Sequence, residues 1–197
     1  MKILKSIVFL AALIPLADLV YGFFTDNLGA NPIEKILHQT GYWALTILMI
    51  TLAISPVRKI TGWNRIINFR RMLGLFAFFY ACLHFTVYLV LDRQLYWSEI
   101  VEDLSKRPYI TVGFTALVLL IPLAVTSTKG WIRKLGRTWA KLHRLIYLIA
   151  IAGVVHFWWQ VKKDISEPLI FALILTALLL FRLAMLVKKK RAVAASE

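Results

Sequence analysis

The sequence predicts an all-α membrane protein, a bundle of six transmembrane helices with both termini on the cytoplasmic side. Three observations carry this. The chain of 197 residues is 60% apolar with a mean hydropathy of +0.72, whereas soluble globular domains hold about 45–50% apolar residues. Six segments approach the ~20 apolar residues that a spanning helix needs: residues 6–24, 38–55, 72–91, 109–126, 143–161 and 168–187. The charges alternate between the two sets of links that six spans create. The start, 56–71, 127–142 and the tail hold 16 basic residues and one acid, Glu197, while 25–37, 92–108 and 162–167 hold six basic and eight acidic residues. The basic set faces the cytoplasm by the positive-inside rule.

Taken in order, the elements read as follows. Span 1 follows Lys2 and Lys5 and ends near Val20-Tyr21-Gly22, which resembles a secretory signal peptide. Its apolar stretch is long for one, and Pro15 and Asp18 interrupt it, so it is read as a retained span. Asn31-Pro32, Ser55-Pro56, Arg107-Pro108 and Glu167-Pro168 are read as element boundaries. Tyr96, Trp97, Tyr109, Trp158 and Trp159 fall near outer ends, where aromatic belts form. Residues 1–197 thus read as a single transmembrane domain without a soluble unit. No glycine-rich nucleotide loop is present. The net charge of +14 sits in short links facing one side, which fits anionic lipid and excludes a nucleic-acid groove. The one cysteine, Cys82, lies in an apolar run and reads as a small packing residue.

Function is sought in the histidines, because ionisable groups inside a membrane are costly and mark sites. His84 in span 3 and His156 in span 5 each lie 12–13 residues past a cytoplasmic start, about 18–20 Å deep at 1.5 Å per residue. Two imidazoles at one depth on two helices suit a haem iron clamped between them. The alternative is a pair of buried histidines bonded to backbone carbonyls. Two nitrogens without a thiolate or carboxylate do not make a zinc site. Gly74 and Gly153, on the same helices, read either as room for a flat macrocycle or as helix-packing contacts.

His143 opens span 5 at the cytoplasmic edge, and Arg70 lies at its level on the face of His84. His143 and His156 are 13 residues apart, which leaves them about 140° apart on an ideal helix. His143 with Arg70 is therefore read as an inner haem site, a donor-side contact or an interfacial cap. Arg144 and Arg182 are candidate partners for a propionate or another anion, or else snorkel to the surface. His38 reads as an interfacial residue, or as a contact to a partner or a quinone head. Asp18 reads as a proton relay or as a contact to a neighbouring helix.

Several stretches then resemble one family. Span 3 reads Arg70-Arg71-Met72-Leu73-Gly74-Leu75 with Leu83-His84. Span 4 follows Arg107-Pro108-Tyr109 and ends in Thr126-Ser127-Thr128. Span 5 is entered by Lys134-Leu135-Gly136 and Trp139, then Leu142-His143 and Val155-His156, and Leu28-Gly29-Ala30-Asn31-Pro32 precedes span 2. Over nearly its whole length the chain resembles the MsrQ (YedZ) family, haem-binding membrane subunits of the MsrPQ methionine sulfoxide reductase system, related to ferric-reductase-like transmembrane domains. The resemblance implies a haem b cytochrome of the bacterial inner (plasma) membrane, with one haem, or two if His143 holds another. It implies electron transfer from the quinone pool, or from a cytoplasmic flavin reductase, to the periplasmic molybdopterin reductase MsrP, which repairs methionine sulfoxide. The chain would then be an electron-transfer subunit, not the catalytic one. The resemblance also implies FMN, for which no residue is assigned. His84, His143 and His156 match the family's haem histidines, and Arg70 stands where oxidase relatives have a histidine. Since the chain ends after span 6, no flavin or nicotinamide domain is expected. Two other functions compete: a transmembrane reductase of external metal chelates, and a proton transporter with a histidine relay.

Overall fold

The computed structural model describes residues 2–161 and 163–194. Met1, Lys162 and residues 195–197 lie outside it, among them Lys162 and Glu197 of the charge count above. Among the described residues nine α-helices follow in order: α1 (Lys2–Phe24), α2 (Pro32–Thr61), α3 (Arg70–Val87), α4 (Trp97–Lys106), α5 (Pro108–Val125), α6 (Lys129–Leu135), α7 (Arg137–Leu142), α8 (Leu145–Gln160) and α9 (Ser166–Ala194). A 3₁₀ turn, Asn64–Phe69, leads into α3, and a π-helical turn, Tyr88–Asp92, extends it. Six helical stretches are long and apolar enough to cross a membrane: Lys2–Phe24, Pro32–Thr61, Asn64–Asp92, Pro108–Val125, Arg137–Gln160 and Ser166–Lys188. The chain is a multi-pass membrane protein. The pairs α2–α3 and α5–α8 make the most extensive contacts, and α1 and α9 pack outside them.

Local chemistry explains the ends of these elements. α2 begins where Asn31 caps it. The Asn31 side chain accepts from Glu34 N (3.2 Å) and donates to Glu34 Oε2 (2.9 Å), with Pro32 in the first turn. It ends at Gly62, whose φ of +70° suits a residue without a Cβ. α2 is therefore longer than residues 38–55 at both ends, and Ser55-Pro56 is not a boundary. The helix runs through Pro56, which is buried in its last turns. The other three proline boundaries hold, since Pro32, Pro108 and Pro168 fall in the first turns of α2, α5 and α9.

Pro15 shows why α1 stays with the bundle. A proline within a helix disturbs the backbone ladder. Here the Tyr80 hydroxyl of α3 enters it, donating to Ala12 O (2.8 Å) and accepting from Leu16 N (3.2 Å). Tyr80 is fully buried, among Phe76, Ala77 and the α1 residue Ala12. Asp18, one turn further on, is exposed on the outer surface of α1, so it meets no neighbouring helix there. Cys82 is half-buried and free.

Two links contain more structure than the sequence reading gave them. The outer link 92–108 holds α4, whose Asp103 is buried. Asp103 Oδ2 accepts from Tyr88 OH (3.0 Å), and Asp103 Oδ1 lies 3.1 Å from Arg107 Nε. Arg93 Nε is 2.7 Å from Asp103 Oδ2, close as an ion pair although its N–H is not aimed at the oxygen. Asp103 thus ties the end of the third span to the start of the fourth. The inner link 127–142 holds α6, capped by Thr128 accepting from Trp131 N (3.3 Å), and α7, reached through Gly136 with φ +49° and ψ −120°.

Candidate functional site

The two predicted axial histidines come together. The ring centroids of His84 (α3) and His156 (α8) are 6.0 Å apart and their planes cross at 80°. Each ring is held by its Nδ1, which donates to a main-chain carbonyl of another helix. His84 Nδ1 lies 2.9 Å from Leu37 O in α2, and His156 Nδ1 lies 2.7 Å from Tyr109 O in α5. A carbonyl only accepts, so each Nδ1 carries the proton and each Nε2 is left with its lone pair. This is the tautomer that a metal-ligating histidine needs, with its other nitrogen fixed by a carbonyl. The alternative weighed on the sequence, histidines bonded to backbone carbonyls, is present in the geometry, but it uses only one nitrogen of each ring.

Haem is the group to test against this pair. Two imidazoles bound on opposite sides of one iron place their centroids about 6.3 Å apart, from metal–nitrogen bonds of about 2 Å and about 1.1 Å from nitrogen to ring centre. The observed spacing agrees. Both histidines are only partly buried, so their rings retain open surface. Among the described residues no group of three or more His, Cys, Asp or Glu side chains converges on a metal position.

Two glycines not singled out from the sequence make room for the rings. A Cβ on Gly41 would lie 3.0 Å from Cε1 and Nδ1 of His84, and one on Gly113 would lie 2.6 Å from Nδ1 of His156. Each sits four residues after the carbonyl that holds its ring, on the same face of α2 or α5. Of the two readings for Gly74 and Gly153, the structure takes helix packing. Their nearest neighbours are Thr51 (3.7 Å) and Leu45 (3.3 Å), both on α2. The spacing from residue 37 to 41 and from 109 to 113 was the available signal, but it means nothing until the carbonyl partners are known.

His143 stands in a different setting. The helix breaks at His143–Arg144, between α7 and α8, where Arg144 N and Tyr147 N bond three residues back. Such tight steps advance about 120° each instead of 100°, which narrows the angle to His156. Its ring stacks on Trp139 at 4.0 Å, and its Nε2 lies 3.0 Å from Thr126 Oγ1. That hydroxyl already donates to Pro122 O (2.6 Å), so His143 Nε2 is the donor and Nδ1 keeps the lone pair. Trp139 Nε1 donates to Thr126 O at 2.9 Å. Arg70 is in electrostatic range of His143, Arg182 and Arg58, and its Nη1 is 3.4 Å from Ser55 Oγ. Arg182 lies over the Tyr147 ring at 4.8 Å, and Arg144 is exposed. All five ion pairs among the described residues lie in the outer segment 92–107, so none of these inner arginines is paired with a carboxylate there. The Nε2 of His38, in the second turn of α2, accepts from Gln160 Nε2 at 2.8 Å.

A family described as "Ferric reductase like transmembrane component" matches residues 40–154. A protein of Xanthomonas campestris pv. campestris is 54% identical over 184 residues, 90% of this chain and 84% of its own length. One of Herminiimonas arsenicoxydans is 52% identical over 185 residues, 92% and 85% of the two chains. Both bear the name protein-methionine-sulfoxide reductase heme-binding subunit MsrQ. No solved structure matches the chain.

Proposed function

The chain belongs to the MsrQ family of ferric-reductase-like transmembrane proteins, and on that premise we propose that it is a haem b electron conduit in a bacterial inner membrane, serving a periplasmic methionine sulfoxide reductase. The observation that carries this is the histidine pair, with both Nδ1 atoms committed to carbonyls and both Nε2 atoms free across 6.0 Å between ring centres. His84 and His156 are the axial ligands. When bound, haem supplies one-electron chemistry at a potential set by its ligands and their hydrogen bonds.

The chain's own residues do the rest. Leu37 O and Tyr109 O hold the ligand tautomer. Gly41 and Gly113 admit the rings. Asp103 fixes the outer ends of the spans that carry His84 and the Tyr109 carbonyl. Electrons arrive from the quinone pool or a cytoplasmic flavin reductase and leave to the molybdopterin protein MsrP, a soluble partner on the outer side. Residues 1–197 act as one domain, with the basic links inward. At the inner end Arg70, Arg144 and Arg182 are the groups suited to an acid anion, either a propionate or the phosphate of an FMN, since arginine matches both. His143, with Nδ1 open beside them, is the residue available to a second haem or to the donor.

Purified protein from haem-replete cells is expected to show a Soret band and the α-band of low-spin haem, and a pyridine haemochrome assay gives haem per chain. Replacing His84 or His156 by Ala is expected to remove the outer haem. A colourless, folded chain would remove the proposal and leave the proton relay. Reduced protein is expected to be reoxidised by MsrP. Reoxidation by ferric chelates but not by MsrP would favour the metal-chelate reductase.

A further inference from the structure

Two links between spans hold a short amphipathic helix, α4 outside and α6 inside, and their charges are met in opposite ways. α4 buries Ile100 and Asp103, and all five ion pairs among the described residues lie in its segment. α6 buries no residue at all. Its link, residues 127–142, carries five basic residues and no acid, and none of the five is paired with a carboxylate among the described residues. A helix of seven residues is shorter than the roughly 12–15 at which an isolated helix holds in water. Since the bundle buries none of its side chains, a surface outside the chain is needed to support it.

Three features say which surface. The first is pattern. At 100° per residue Trp131, Ile132 and Leu135 share one arc of α6, and Trp131 and Ile132 are exposed on it. Lys129 and Arg133 border that arc on one edge. Lys134 borders it on the other, with its Nζ 4.9 Å from the centre of the Trp131 ring. This is the pattern of a helix lying in a membrane surface, its apolar side chains at the acyl boundary and its cations reaching to the headgroups. The second is level. α6 joins the inner ends of the fourth and fifth spans, Pro108–Val125 and Arg137–Gln160, so both its ends lie at the inner membrane surface. The third is charge. Five cations without a carboxylate call for an anion, and an anionic headgroup supplies one beside the acyl boundary, whereas a zwitterionic headgroup has no net charge to offer.

We infer that α6 is an in-plane anchor for anionic phospholipid, with Trp131 and Ile132 seated at the acyl boundary and Lys129, Arg133 and Lys134 donating to headgroup phosphates. The anchor is joined to the inner histidine. Thr126 accepts from His143 through its hydroxyl and from Trp139 Nε1 through its carbonyl, and Trp139 stacks on the His143 ring. α6 lies in the chain between Thr126 and Trp139, so lipid seated on it restrains the segment that holds that ring. The inference needs the membrane and does not rest on haem.

Hydrogen exchange of the full chain in nanodiscs, read by peptide mass spectrometry, tests it. Discs of phosphatidylcholine alone are compared with discs of phosphatidylcholine mixed with phosphatidylglycerol. Each basic side chain near an anionic surface is worth about fivefold in binding. Amides of residues 129–143 are therefore expected to exchange about tenfold more slowly in the mixed discs at low salt, with the difference fading at high salt. Amides of α4 are expected to exchange alike in both. Arg133→Gln combined with Lys134→Gln is expected to lose the difference between the discs. Equal exchange of the parent chain in the two discs would overturn the inference, as would a difference that the double variant keeps. Slowing by inorganic phosphate added to phosphatidylcholine discs would overturn it in favour of a free anion. Slowing that grows with the number of chains per disc would overturn it in favour of a second copy. Should the double variant misfold, seen as fast exchange throughout α3, the parent chain's difference and its salt dependence decide.

Discussion

The outer and inner ends of this bundle each hold histidine, yet they are built differently. The outer rings of His84 and His156 are fixed by main-chain carbonyls, face glycines and face each other. The inner ring of His143 is fixed by a side-chain hydroxyl, stacks on Trp139 and has Arg70 within electrostatic range. The proton assignments are also opposite, with Nε2 free outside and Nδ1 free inside. A main-chain carbonyl on a packed helix is a stiffer anchor than a threonine rotamer. The outer end is thus arranged before any ligand arrives, and the inner end retains an open nitrogen within range of Arg70.

The strongest way to break this contrast is to take away the space given to the outer rings. Gly113→Ala places a methyl 2.6 Å from His156 Nδ1, a separation that real contacts do not allow. The outer haem is expected to be lost or to become high-spin, read from the Soret and α-bands. Gly41→Ala, at 3.0 Å from the His84 ring, is expected to give a partial loss. Gly74→Ala, whose nearest neighbour is the Thr51 methyl at 3.7 Å, is expected to bind haem like the parent. Equal behaviour of the three would mean that ring placement is not set by these close approaches.

The same contrast marks what the sequence disclosed. Spans, orientation and the depth match of His84 with His156 follow from hydropathy, charge and rise per residue, all of which act locally. Gly74 and Gly153, on the helices of the histidines, take the helix-packing reading of the two the sequence left open, whereas the rings are met by Gly41 and Gly113 on the facing helices. Facing partners depend on how helices pair, and a single sequence does not encode that in any short pattern. α4 went unread because a ten-residue amphipathic helix in a link falls below the length at which a span is recognised. Its key residue, Asp103, has no meaning until Tyr88, Arg93 and Arg107 converge on it.

Asp103 sharpens the comparison at intermediate size, since the inner end has no such carboxylate among the described residues. Asp103→Ala takes from Arg93 its nearest carboxylate, leaving the longer pairs with Asp92 (3.4 Å) and Glu99 (3.7 Å), and unties Tyr88, one turn past His84, from Arg107, two residues before Tyr109. Charged hydrogen bonds of this kind are worth about 1.5–3 kcal/mol each, and Arg107 is half exposed, so a loss of about 2 kcal/mol is expected. It should appear as a lower melting temperature in detergent together with a shifted outer haem potential. A lower melting temperature with an unmoved potential would confine Asp103 to stability.

His143→Ala tests whether the ends are separable. It removes one hydrogen bond and one ring stack, a cost of about 1–2 kcal/mol. The low-spin signal of the outer pair is expected at full amplitude. Its disappearance would mean that both ends share one site, which the separate hydrogen-bond partners argue against.

The smallest effect is expected one residue from Asp103, and it separates burial from charge as the cause. Glu102 Oε1 lies 2.6 Å from Lys106 Nζ, and this hydrogen bond holds the Glu102 carboxyl below its ordinary range. A depressed carboxyl stabilises the fold above its ordinary value of about 4.3 and ceases to do so as pH falls through the lowered one. Both side chains are more than half exposed, so water and salt screen the pair. Glu102→Gln is therefore expected to leave the melting temperature at pH 7 and 0.15 M salt unchanged, while Asp103→Asn lowers it. If the two variants fell together, α4 would be held by net outer charge rather than by a buried carboxylate that three side chains surround.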